Sequence, residues 1–199
     1  MEKSKKNLYG NVPDTSPVVL LLIDVINDLD FPEAPALLRH ALPMARRLAR
    51  LKRTAKQRGA AVIYVNDNFG RWRSDFKSQV KHCLRHGGAG KRIVEILRPE
   101  DDDYFVLKPA HSGFFSTTLD LLLKHLQATT VIVTGIAANI CVLFTANDAY
   151  LRGYRIVVPK DCVAANSARL TKEALAQMET VLKADISSST ALPWSKWLR

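Results

Sequence analysis

Apolar residues fall into two rhythms. Residues 18–24 open with an almost unbroken apolar run, Val18 to Ile23, which reads as a strand buried on both faces. Shorter β-rich runs follow at 61–65, 104–107, 130–134 and 155–158, with a last one at 184–187. Stretches of helical period lie between them. Pro43 suits a first helical turn because its φ is already fixed, so a helix is predicted from Pro43 to Gln57, closed by Gly59. Helices over 73–86 and 91–97 flank a turn containing Gly87, Gly88 and Gly90. Ser116 reads as the N-cap of a helix over 118–126. A helix after Gly135 runs to about Arg152 and ends at Gly153, and Ser167 precedes another over 169–183. Residues 1–16 read as a flexible N-terminal tail, and 17–199 as one domain of ordinary size.

Strands alternating with helices imply βαβ units: an α/β fold with a mostly parallel, six-stranded sheet, helices on both faces and right-handed crossovers. In such sheets ligands bind beyond the carboxyl ends of the strands. The positions to inspect therefore lie just after Ile23, Val65, Leu107, Thr134 and Val158.

Four of these ends carry chemistry. Asp24 ends the first strand, Asp67 follows the second, Lys108 ends the third and Cys141 follows the fourth. Cys141 falls where Thr134–Asn139 turns from strand into helix. Free amides and the positive end of the helix dipole favour a thiolate there, and Lys108 would favour it further. A thiolate attacks carbonyl carbon, and the same amides can hold the resulting oxyanion. Asp24 can take the thiol proton and later activate water if its environment raises its pKa. Each residue alone also has a structural reading: Asp24 as a helix cap, Lys108 as a surface cation, Cys141 as a small buried residue. Three complementary types in three separate βα units favour catalysis.

Charge adds one question. The formal net charge is +10, and the stretch from Arg39 to Arg58 holds eight Lys and Arg residues with no acid. With Leu37, Leu38, Leu42, Leu48 and Leu51 on the opposite side, it reads as the solvated face of one helix, and no nucleic-acid motif accompanies it. No apolar run is long enough to span a bilayer. Three scattered cysteines, Cys83, Cys141 and Cys162, make no disulfide framework and fit a reducing, cytoplasmic setting. Cys83 and Cys162 lack a helix start and a cation together and read as inert.

Three blocks resemble the isochorismatase-like cysteine hydrolase superfamily, the group that includes nicotinamidases and N-carbamoylsarcosine amidases. The first runs from Val19 to Asp24 and on to Asn27 and Asp28. The second holds Lys108, Ser112, Gly113, Phe114, Thr117 and Leu119. The third holds Gly135, Ala137, Cys141 and Val142, followed by Thr145, Asp148, Ala149 and Gly153. The resemblance covers about residues 17 to 188 and implies a Rossmann-like, three-layer α/β/α fold. It implies a catalytic triad of Asp24, Lys108 and Cys141, a cis peptide between Ile136 and Ala137, and an oxyanion hole from the amides of Ala137 and Cys141. It also implies a homo-oligomer, a dimer or tetramer, for which Trp194 and Trp197 are candidate interface residues.

The chain departs from the nicotinamidase pattern after the second strand. Asp67 is kept, but Phe69 stands where those relatives carry a metal-binding His. His82 and His86, spaced i, i+4 around Cys83, read as surface residues. No metal and no other cofactor is therefore expected. Asn27, Phe31, Phe69, Trp72, Ser112 and Phe114 are candidates for the substrate pocket, with core packing an equal reading for Phe114. The expected activity is cysteine-dependent hydrolysis of a C–N bond in a small amide, carbamoyl or ureide compound through a thioester. The partner is then a small-molecule amide, with no nucleic acid and no membrane. The alternatives are a non-catalytic oligomeric binding protein on the same fold and isochorismatase-type ether hydrolysis.

Overall fold

The computed structural model describes residues 15–70, 72–85 and 88–198. Six parallel strands form one sheet: β1 (Val18–Ile23), β2 (Ala61–Asp67), β3 (Tyr104–Lys108), β4 (Thr130–Ile136), β5 (Arg155–Val157) and β6 (Val163–Ala164). Their order is β3-β2-β1-β4-β5, with β6 on the same edge of β4 as β5, further along. The helices are α1 (Ala34–Gln57), α2 (Phe76–Arg85), α3 (Lys91–Ile96), α4 (Leu119–His125), α5 (Leu143–Leu151), α6 (Ala168–Leu182) and α7 (Trp194–Trp197), with a π-helical turn, Ala138–Val142, leading into α5.

Alternation along β1 explains the three layers. Successive strand side chains point to opposite faces. Val18, Leu20 and Leu22 pack into a core with α1, α2, α3 and α7, whereas Val19, Leu21 and Ile23 pack into a second core with α4, α5 and α6. Every β1 side chain is buried, as a parallel strand covered on both faces requires. None of the described helices is long and apolar enough to cross a membrane.

Four local expectations change. The first long helix begins at Ala34, not at Pro43, which sits inside it. An interior proline costs about 3 kcal/mol. The continuous buried stripe of Leu37, Ala41, Met44, Ala45, Leu48, Leu51 and Ala55 outweighs it. The sixth strand is Val163–Ala164, and residues 184–187 contribute one bridge, Val157 to Asp185. Ser116 does not cap α4. It lies at φ 52°, and Thr117 Oγ1 accepts from the Leu119 amide instead. Trp194 and Trp197 are buried in the α1-side core, edge to face with ring centres 5.9 Å apart, so they offer no exposed surface to a second copy. Of the expected tail, residues 1–14 lie outside the described residues. Ser16 is buried, and its Oγ accepts from the Ala61 amide at 2.8 Å.

The basic run on α1 is solvated at Arg46, Arg47, Arg50 and Arg53, but Lys52 is buried. Its ammonium reaches the Tyr64 hydroxyl (3.1 Å), the Arg98 carbonyl (3.2 Å) and the Asp103 carboxylate, which is itself buried. Lys56 binds the same carboxylate from one turn further on. Replacing Lys52 with Met is expected to cost about 3 kcal/mol, the lower end for breaking a buried pair, because Lys56 still answers Asp103. Urea unfolding measures it; a loss below about 1 kcal/mol would place this pair with ordinary surface bridges.

Candidate active site

The register brings the strand ends to one rim. Ile23 lies opposite both Val65 and Gly135, and Asp67 lies opposite Lys108. Gly135 is needed for that approach. Its φ is 107°, and a Cβ there would overlap the Ile23 carbonyl. The chain then passes through a cis peptide, Ile136–Ala137, into the π-helical turn that carries Cys141.

Asp24 sits one residue beyond β1 with φ 51°, in the left-handed region that non-glycine residues avoid. Its amide donates to the Val65 carbonyl (3.0 Å), and its Oδ1 accepts from the Asp67 amide (2.7 Å). A strained backbone held by its neighbours is characteristic of functional positions. Lys108, fully buried, points along the rim. Its Nζ lies 2.9 Å from Asp24 Oδ2, 3.5 Å from Asp67 Oδ2, 3.1 Å from the Ala110 carbonyl and 3.6 Å from Cys141 Sγ. Cys141 and Asp24 also lie near enough for each to perturb the other's ionisation.

The electrostatics differ from what position alone suggests. Burial raises the pKa of Asp24, and Lys108 offsets this only in part. Burial and the adjacent Asp24 charge push the Cys141 thiol up to about 12, against the pull of Lys108. Burial thus works against the charged forms of both the sulfur and the carboxylate, and Lys108 works for them. Moving the sulfur proton to Asp24 leaves the total charge unchanged. The three groups therefore titrate as one unit, and burial opposes internal transfer less than loss of the proton to solvent. Lys108 is held above its ordinary value because Asp24, Cys141 and Asp67 together outweigh the cost of burying its charge.

The other candidates lie in varied settings. Asn27 Oδ1 accepts from the Leu29 amide (2.7 Å) and shapes the loop after β1. Phe31, Phe69 and Trp72 are exposed, and Trp72 lines a shallow surface groove with Gly70, Arg73, Ser74 and Ser78. Ser112 is buried; its hydroxyl donates to Asp148 Oδ2 and accepts from the Phe114 amide at 3.1 Å. Phe114 is buried, 6.4 Å from the Tyr154 ring, with the Arg152 guanidinium 4.6 Å above it. Arg152 in turn binds Asp148. Ser112 and Phe114 thus anchor the loop after β3 onto α5.

Asp67 offers little to a metal. Its Oδ1 takes the Phe69 amide at 2.7 Å, its Oδ2 faces Lys108, and Phe69 has no donor atom in its side chain. Among the described residues, no group of three or more His, Cys, Asp or Glu is placed to hold a metal ion. His82 pairs with Asp28 at 3.1 Å, and His86 lies outside the described residues.

Two site features escaped the sequence reading. One is the Asp67 carboxylate as a second acid on Lys108. The other is His111, whose Nδ1 lies 3.8 Å from Cys141 Sγ. Its only sequence signal is its place three residues after Lys108, and a lone loop histidine carries none by itself.

With this geometry established, comparison with known proteins is informative. The isochorismatase domain family model matches residues 18–190. The isochorismatase family protein YaaI of Bacillus subtilis is 43% identical over 169 residues, 85% of this chain and 92% of that protein. A ureidoacrylate amidohydrolase, RutB, of Methylorubrum extorquens is 30% identical over 162 residues, 69% of this chain and 64% of that one. The chain thus spans a little under two thirds of the length of that relative. The crystal structure of N-carbamoylsarcosine amidase from Thermoplasma acidophilum superposes with a TM-score of 0.67 at 30% identity, covering 88% of this chain and 98% of that one. The extent of the family match, across the same strands and rim, makes this chain a member of the isochorismatase family of hydrolases.

Proposed function

We infer that the protein hydrolyses a C–N bond in a small amide, carbamoyl or ureide compound, with Cys141 as nucleophile. The observation that carries this reading is the single ammonium of Lys108, 2.9 Å from Asp24 and 3.6 Å from Cys141 Sγ. The similarity to an N-carbamoylsarcosine amidase and a ureidoacrylate amidohydrolase supports the substrate class.

In this scheme Asp24 takes the thiol proton as Sγ attacks the carbonyl carbon. Lys108 holds its charge throughout and steadies whichever of the two neighbours is anionic. The amides of Ala137 and Cys141 hold the oxyanion. The tetrahedral adduct collapses, the C–N bond breaks, and the leaving nitrogen takes the proton from Asp24. Water then attacks the thioester, giving one proton to Asp24. Collapse of that second adduct frees the acyl product, and the sulfur recovers its proton. No redox step or outside co-reactant is needed.

A panel of small amides and ureides, scored for ammonia or amine release, tests the reading. Mass spectrometry of the protein should show a transient acyl adduct on the Cys141 peptide. Because the base must begin as a carboxylate and burial raises its pKa, the acid limb should lie above the usual carboxylate range. Turnover should therefore climb as pH rises through that limb. No release from any panel member, or an adduct on another residue, would count against the scheme.

A further inference from the structure

His111 lies in direct reach of the sulfur, and the scheme above does not use it. It sits on the loop after β3 and is exposed. Its Nδ1 faces Cys141 Sγ at 3.8 Å. Its ring packs against the half-exposed Phe144 ring, centroid to centroid 5.5 Å, tilted by 54°. Phe144 lies one turn along from Cys141, so the helix that carries the nucleophile also backs the imidazole. The loop is held from beneath as well. Lys108 Nζ donates to the Ala110 carbonyl, the residue before His111, and Ser112, the residue after, is tied to Asp148. The loop is thus held on both sides of His111, with the ring at the solvent edge of the nucleophile.

The charges around the sulfur divide the labour. Lys108 is fully buried and engaged by Asp24, Asp67 and the Ala110 carbonyl. It has no spare approach for a substrate. Asp24 and Asp67 place two carboxylates on that same ammonium. Among the described residues, His111 is the group within reach of Sγ that is both open to solvent and able to donate to an anion. The chain's net charge of +10 draws anionic small molecules toward the surface. Selection at the sulfur then needs a local donor.

We propose that His111 is a specificity-determining residue that hydrogen-bonds a carboxylate, or a like anionic acceptor, on the part of the substrate that approaches Cys141. This deepens the hydrolase reading and rests on it for the word substrate. The recognition itself is tested independently of turnover.

Iodoacetate and iodoacetamide alkylate the same sulfur and differ in bearing a carboxylate or an amide. The fraction of thiolate cancels from the ratio of their rates. Cys83 and Cys162 are buried and compete little. With the full chain, the ratio at the Cys141 peptide is measured by mass spectrometry for wild type, His111→Ala and His111→Gln. The ratio is expected to fall about tenfold in His111→Ala, the loss of one hydrogen bond to a charged group. His111→Gln keeps a donor and should recover part of it. A ratio unchanged in His111→Ala overturns the proposal, as does an equal drop in both rates, which would mean that the ring merely orients the sulfur. In the amide panel, KM for carboxylate-bearing members should rise in His111→Ala with kcat little changed, while neutral members are unaffected. If the ratio shifts but no panel member is hydrolysed, anion recognition stands and the hydrolase scheme fails. If hydrolysis proceeds and the ratio holds, only the role of His111 is lost.

Discussion

Replacing Cys141 with Ser is expected to lower turnover by roughly 10⁴-fold or more, as removal of a covalent nucleophile does. The hydroxyl is far harder to ionise than a thiol, and Asp24 must take its proton across a longer contact. The fold should survive, because Cys141 is half-buried and the change is nearly isosteric; the stability change should stay within about 1 kcal/mol. Cys162→Ala is the control. That sulfur is fully buried, so the change should cost stability through lost packing and leave turnover in place. Steady-state kinetics and thermal unfolding on the two variants separate the outcomes. Full activity in Cys141→Ser would exclude the sulfur as nucleophile.

Lys108→Met should have the second large effect, on both stability and rate. It leaves buried Asp24 and partly exposed Asp67 without their shared cation. Breaking a buried charge pair from one side costs about 3–5 kcal/mol. The pH dependence follows from the sign of the shift. Burial already raises Asp24 in the native protein, and Lys108 is what opposes it. Without the ammonium, the native state holds the Asp24 proton to higher pH than the unfolded chain does. Stability is then present at low pH and lost as pH rises through the folded value. The penalty in Lys108→Met should therefore be larger near about pH 8 than near about pH 5. Adding Asp24→Asn to Lys108→Met removes the stranded charge and should restore much of the stability without restoring turnover. Chemical denaturation at the two pH values reads this. A flat, pH-independent penalty would mean that lost packing, rather than the uncompensated carboxylate, sets the cost.

Both predictions rest on groups whose positions follow from strand ends, and strand ends are written in local pattern. The apolar run at Val18–Ile23 can only be a strand buried on both faces, and it delivers Asp24 to the rim. The same reasoning puts Lys108 at the end of β3 and Cys141 just beyond β4. Parallel pairing brings such ends together whatever the details of the loops.

Elsewhere local pattern misled where a long-range contact outweighed it. Pro43 looks like a helix start, but the stripe from Leu37 to Ala55 has a sheet face to cover, and that burial exceeds the cost of one interior proline. Lys52 looks like one more solvated cation. Asp103, far off in sequence, makes its burial tolerable. Trp194 and Trp197 look exposed at a chain end, yet α1 and the core beneath offer them apolar surface.

Residue order alone thus settled the alternation of strands and helices, the parallel sheet and the three strand ends that bear Asp24, Lys108 and Cys141. These depend on periodicity and on turn residues, which act over a few positions. Only the tertiary structure decided the directions in which burial and charge shift that trio, the second carboxylate from Asp67, and His111 beside the sulfur. Desolvation and charge coupling depend on how deeply a group is buried and which groups face it, and both arise from contacts between segments far apart in the chain.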